Sequence, residues 1–143
     1  MKLPDVNLLL YAADETAMLH QAARAWIEEA LSGRETVAFA WVALLGFVRI
    51  STSPRTGDAP WSAGDALDLV DAWLAQPVAT VVHPTSRHVS VLRDLLGPIG
   101  AGGNLTTDAH LAALAIEHGA TLCSRDRDFS RFPGLRWVDP LAS

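Results

Sequence analysis

At 143 residues and 15.3 kDa the chain has room for one compact domain, here taken as residues 1–143, and none for a second. Hydrophobic residues make up 50% and charged residues 19%, which excludes a disordered chain, and no stretch approaches the roughly 20 uninterrupted apolar residues that cross a bilayer, so a soluble protein is expected. The net charge of −5 speaks against a broad phosphate-binding surface. Against that, ten of the eleven basic residues are Arg, the better bidentate phosphate donor, and carboxylates gathered on a cation would account for part of the negative charge.

In chain order, the N-terminal MKLPDVNLLLYAADE carries one Lys before an apolar run that Pro4 and Asp5 interrupt, and reads as no signal peptide. Residues 2–5 form a short strand that runs directly into a helix over 7–13. Ala23, Trp26, Ile27, Ala30 and Leu31 have the spacing of a helix over 20–31, ended by Gly33. A strand over 36–39 leads into a nearly all-apolar helix over 41–50, which belongs in the core or in an interface. The segment STSPRTGDAP, 51–60, is a loop by its Pro, Gly and Ser content.

Ser62 with Asp65 three residues on has the pattern of a helix N-cap, and opens a helix to about residue 76 with Ala66, Leu67, Val70, Trp73 and Leu74 on one face. Then follow a strand over 78–82, a helix over 86–96, a Gly-rich connection over 97–103, a helix over 106–118, a strand over 120–123 and a last short strand over 136–138. This alternation predicts an α/β fold with a parallel sheet of four to five strands, flanked by helices on both faces, and ligands at the carboxyl ends of the strands. The lone Cys123 cannot form an internal disulfide, which fits a reducing compartment such as the cytoplasm, and its apolar neighbours predict a buried, inert thiol.

Acids fall where that rule points. Asp5 ends the first strand, Asp108 lies in the first turn of the helix over 106–118, and Asp126 and Asp128 follow the strand ending at Cys123. Asp108 alone would serve a helix N-terminus, and Asp126 or Asp128 alone would serve a turn. Asp5, between Leu3 and the run Leu8–Leu9–Leu10, is expected to be partly buried, where an unpaired charge is costly. Carboxylates brought together repel unless a hard cation neutralises them, and oxygen ligands suit Mg2+ or Mn2+.

The segments DVNLLLYA, LTTDAHLAALAIEHGATLCSRDRDF and FPGLRWVDPL together resemble VapC-type toxins of the PIN-domain family, collinearly over essentially the whole chain. The resemblance implies a PIN fold, a Mg2+-dependent endoribonuclease acting on structured cellular RNA of the tRNA or rRNA class, a homodimer, and inhibition by a cognate VapB-type antitoxin. It implies Asp5, Asp108 and Asp126 as catalytic and metal-binding acids, Asp128 as a secondary catalytic acid, and Asn7 as the polar residue that bonds the first Asp. One departure stands out: the family's acid on the helix that here reads AWVALLGFVRI is missing, and the stretch around Ala43 has no Asp or Glu. That leaves a catalytically silent domain, acting through RNA or antitoxin binding, as the alternative. A phosphatase or response-regulator-like domain is a weaker rival, because the only lysine, Lys2, is at the chain start.

Arg49, Arg125 and Arg127 are candidates for RNA phosphates as much as for solvated or antitoxin-pairing charges. His20, His110 and His118 read as surface or helix-end residues, and Trp26, Trp41 and Trp73 as core or interface anchors. Trp61 is the aromatic to test for base stacking. The glycines at 100, 102 and 103 form no dinucleotide fingerprint and read as a flexible connection near the site.

Overall fold

Five short strands, β1 (Lys2–Pro4), β2 (Val37–Phe39), β3 (Ala79–Val81), β4 (Thr121–Cys123) and β5 (Trp137–Val138), pair in parallel in the order β3-β2-β1-β4-β5. The structure, a computed structural model of the chain, describes residues 1–54 and 60–142. Six α-helices connect the strands: α1 (Val6–Ala13), α2 (His20–Ser32), α3 (Trp41–Ser51), α4 (Ala63–Leu74), α5 (His88–Leu96) and α6 (Leu105–His118). None of the described helices is long and apolar enough to cross a membrane. The α/β architecture follows the alternation in the sequence, and most element ends fall within two residues of the expected ones. Of the expected loop over 51–60, Ser51 instead closes α3, and residues 55–59 lie outside the described residues.

Successive strand residues point to opposite faces, so the sheet divides the interior into two cores. Val37 and Phe39 face one of them, with Leu9, Ile27, Leu44, Phe47, Val70 and Trp73 from α1 to α4. Here the Trp73 ring stands 5.0 Å from Phe47 and stacks at 6.3 Å on Phe39, and burying each such ring contributes about 2–3 kcal/mol. Leu3, Ala38 and Leu122 face the other core, under α5 and α6. Ala109, Ala112, Ala113 and Ala115 let α6 lie close on the sheet, and its end is set by Gly119, whose φ of 67° is open to glycine at no steric cost.

The chain builds outward from β1 to β2 and β3, then crosses to the other side for β4 and β5. The reversal of direction falls between β1 and β4. In open parallel sheets the crevice beyond the carboxyl ends of the strands at such a switch point is where ligands bind.

Candidate active site

Pairing of β1 with β4 sets Pro4 opposite Cys123, so Asp5 and Ser124 leave the sheet side by side, and the Asp5 amide donates to the Cys123 carbonyl at 2.9 Å. Asp5 is 9% exposed, as its apolar neighbours in sequence imply. Both its oxygens are engaged: Oδ1 accepts from the Val6 amide at 2.7 Å, where Asp5 caps α1, and Oδ2 accepts the Ser124 hydroxyl at 2.7 Å. Burial pushes the Asp5 pKa up, the bonds from Ser124 and Val6 pull against it, and the charge of Asp126 adds to the rise.

Ser124 is the residue that sequence reasoning missed. It is fully buried, and its hydroxyl gives its one proton to Asp5 while accepting from the Asp126 amide at 3.0 Å and from Asn7 Nδ2 at 3.2 Å. That fills the bonding capacity of a hydroxyl. Asn7 therefore does not bond Asp5 directly, as the resemblance implied. It holds Ser124, and its Oδ1 accepts from the Arg125 amide at 3.4 Å. The available signal was a hydroxyl immediately after an apolar strand, where burial demands partners.

Asp126 caps the 3-10 turn Arg127–Arg131, its Oδ1 accepting from the Asp128 amide at 2.9 Å. The Asp128 side chain is exposed, 3.9 Å from Arg131 Nε. Asp108 comes from the first turn of α6, is half-buried and accepts no hydrogen bond among the described residues. Burial first, then the charges of Asp126, Asp5 and Asp128, push its pKa to about 6. Acids from three separate segments thus share one electrostatic field at the switch point.

Oxygen-only donors whose mutual repulsion a cation would relieve suit a hard divalent ion. Among the described residues, however, no group of three or more His, Cys, Asp or Glu side chains stands close enough to hold a metal. The donor types fit such an ion, and the carboxylates would have to draw closer around it. Helix α3 adds no acid: Ala43 is buried in the core, and Gly46 lies against Val6, where a Cβ would stand 3.2 Å from Val6 Cγ2.

The other candidates separate. Arg125 donates to Asp139 at 2.6 Å, while Arg49 and Arg127 are exposed. Trp61 stands edge-on to Phe47 at 6.3 Å and belongs to the core on the α1–α4 side, so it is not a free stacking platform. His20 and His118 bond the Tyr11 and His83 carbonyls at helix ends. His110 is no surface residue of that kind: its Nδ1 lies 2.9 Å from His88 Nε2, and His88 Nδ1 in turn bonds the Glu117 carboxylate. Cys123 is buried, and its thiol is pushed up to about 11 by desolvation, the behaviour of an inert thiol.

The PIN domain family model matches residues 2–135. Ribonuclease VapC37 of Mycobacterium tuberculosis (strain ATCC 25618 / H37Rv) is 47% identical over 142 residues, covering 99% of this chain and 99% of that protein. Ribonuclease VapC33 of the same strain is 41% identical over 141 residues, again 99% of each chain. Among solved structures, a chain of VapBC2 from Rickettsia felis bound to a DNA fragment from their promoter superposes with a TM-score of 0.69 at 20% identity, covering 96% of both chains. A chain of VapBC-1 from nontypeable Haemophilus influenzae gives 0.66 at 12% identity, covering 99% of this chain and 98% of that one. These two likenesses confirm the fold, and the sequence relatives go further: the chain belongs to the PIN domain family and, within it, to the VapC ribonucleases.

Proposed function

We propose that the chain is a divalent-metal-dependent endoribonuclease that acts as the toxin of a VapBC-like toxin–antitoxin pair in the cytoplasm. The observation that carries this is the convergence of Asp5, Asp108 and Asp126, with Asp128 beside them, at the switch point of a sheet whose full-length relatives are named ribonucleases. The domain is taken as residues 1–143. RNA is the substrate and a VapB-type antitoxin the inhibitory partner, a reading supported by the VapBC structures that share the fold, and a homodimer is the expected form.

Asp5, Asp108 and Asp126 would hold Mg2+ or Mn2+. Such an ion supplies positive charge that offsets the negative charge building on the phosphate during cleavage. The residues of the chain do the positioning. Ser124 fixes one Asp5 oxygen and the Asp126 amide at once, the Val6 amide fixes the other oxygen, and the Asp128 amide of the 3-10 turn holds one Asp126 oxygen. Asp108, without a hydrogen-bond partner among the described residues, is the carboxylate free to turn toward a ligand.

The test is cleavage of total cellular RNA by purified, antitoxin-free protein with Mg2+ or Mn2+, with EDTA, and as Asp5→Asn. Cleavage that needs both metal and Asp5 supports the proposal. Metal-independent cleavage, or full activity in Asp5→Asn, removes the mechanism. A folded protein that binds RNA or antitoxin and never cleaves is the outcome favoured by the absence of an acid on α3, and it would make the domain a silent binder.

A further inference from the structure

A cavity of about 520 Å3 opens between α3 and the first turn of α6, lined by Val42, Leu45, Gly46, Val48, Arg49 and Thr107. Two of its lining residues adjoin the segments that carry the acids. Thr107 directly precedes Asp108, and Gly46 lies against Val6, which directly follows Asp5. Its lining is apolar apart from one hydroxyl and one guanidinium and holds no carboxylate, although Asp108, next to Thr107, feels the charges of Asp126, Asp5 and Asp128.

Arg49 gives the cavity its charge. Arg24, Arg125 and Arg131 pair with carboxylates and Arg87 and Arg136 donate to carbonyls, while the side chains of Arg34, Arg93 and Arg127 have no such partner among the described residues and do not line the cavity. Arg49 has no hydrogen bond or ion pair among the described residues. It sits in the last turn of α3, where the helix dipole favours a cation, and its side chain lines the cavity. A ligand that complements an apolar floor beside one unpaired guanidinium carries a flat, weakly polar body and an anionic group, as a nucleotide does.

We infer that this cavity seats one nucleotide of a single-stranded RNA substrate next to the scissile bond, the base against Val42, Leu45 and Val48 and a phosphate on Arg49. This rests on the ribonuclease reading above and deepens it, since it places a substrate contact on the helix that lacks an acid. It also reconciles a net charge of −5 with RNA binding, because a phosphate held on one localised guanidinium needs no basic surface.

The experiment measures binding of a short, fluorescein-labelled single-stranded RNA of random sequence, by anisotropy over a salt series, in the cleavage-deficient Asp5→Asn background. An abasic oligomer of the same length serves as the second probe. Arg49→Ala is expected to weaken RNA binding about 10-fold and to lower the slope of log affinity against log salt by about one. Leu45→Ser is expected to weaken RNA binding about fivefold with the slope unchanged, and to leave the abasic oligomer unaffected. Both positions are exposed, so circular dichroism should show an unchanged fold. Unchanged affinity and slope in Arg49→Ala, while the parent chain cleaves RNA, overturns this inference and leaves the ribonuclease reading standing. A chain that neither binds nor cleaves RNA overturns both. If the two variants alter the molar mass by light scattering and not RNA affinity, the face is a contact between copies and the inference falls.

Discussion

Helix α6 carries a carboxylate near each end, and the two are held in opposite ways. Glu117, in the last turn, has no exposed side-chain surface and accepts from the Thr85 amide, the Thr85 hydroxyl and His88 Nδ1. Burial alone would raise its pKa, but those bonds outweigh it and hold the group below its ordinary range. Asp108, in the first turn, is half-buried with no side-chain hydrogen bond among the described residues, and burial plus the charges of three other aspartates push it up to about 6. One acid is satisfied by the fold and the other is left for something the fold does not contain. Partners, rather than burial, separate a structural carboxylate from a functional one.

Asp108→Asn breaks the comparison at its functional end and should have the largest effect. Cleavage should fall by at least about 100-fold, because an amide cannot replace a carboxylate toward a cation. Stability should move the other way. The folded pKa of Asp108 lies above the ordinary 3.8, so the folded state binds the extra proton. Its favourable contribution is present at low pH and lost as pH rises through about 6. Above that pH the charge is a burden, and after allowance for solvent around a half-exposed group the variant should gain about 1 kcal/mol near neutrality. Parallel urea titrations at pH 3.5, below the ordinary 3.8, and at pH 8 should show the gain only at pH 8. Equal gains at both would mean that the repulsion does not exist.

Glu117→Ala breaks the other end. It strands three donors and should cost about 3 kcal/mol, read as a lower urea midpoint, while cleavage per folded molecule stays as in the parent chain. Here the pH sense is reversed: the folded pKa lies below 4.5, so the contribution is present above 4.5 and lost as pH falls through the folded value. Loss of specific activity without loss of stability would place Glu117 in the catalytic machinery and erase the distinction.

Ser124→Ala tests how the functional end is held in place. Without the hydroxyl, one Asp5 oxygen and the Asp126 amide both lose their partner. Mn2+ affinity by calorimetry should drop about 10- to 100-fold, the usual effect of removing a group that orients a ligand. An unchanged affinity would show that the Val6 amide is enough to hold Asp5.

Most of the fold was legible because its signals are local. The 3.6-residue spacing of Ala23, Ile27 and Ala30, the Ser62 cap over the Asp65 amide and the apolar strands each sit within a few neighbouring residues. The positions of Asp5, Asp108 and Asp126 were legible for a related reason: each adjoins the end of a recognisable element. What could not be read depends on contacts between distant segments. Ser124 acquires its role from Asp5, 119 positions away, and the Thr85–His88–His110–Glu117 cluster joins two helices whose sequences carry no shared period. Trp61 looked free only because its partner Phe47 belongs to a different element, α3.

The smallest expected effect probes how tightly α3 is fitted to the acid site. Gly46→Ala places a methyl 3.2 Å from Val6 Cγ2, so Val6 must yield by a few tenths of an ångström. Alanine gains up to about 1 kcal/mol over glycine inside a helix, and crowding of one methyl takes back about as much, so the urea midpoint should barely move. Activity is the sharper readout, because the Val6 amide holds Asp5 Oδ1 at 2.7 Å and a displaced Val6 would drag that bond with it. A drop in cleavage at unchanged stability would show that the missing side chain on α3 is itself part of the site, as the space that lets Val6 hold Asp5 in place. Unchanged cleavage would show that the bond from Ser124 alone fixes the carboxylate, and that Gly46 serves only close approach of the two helices.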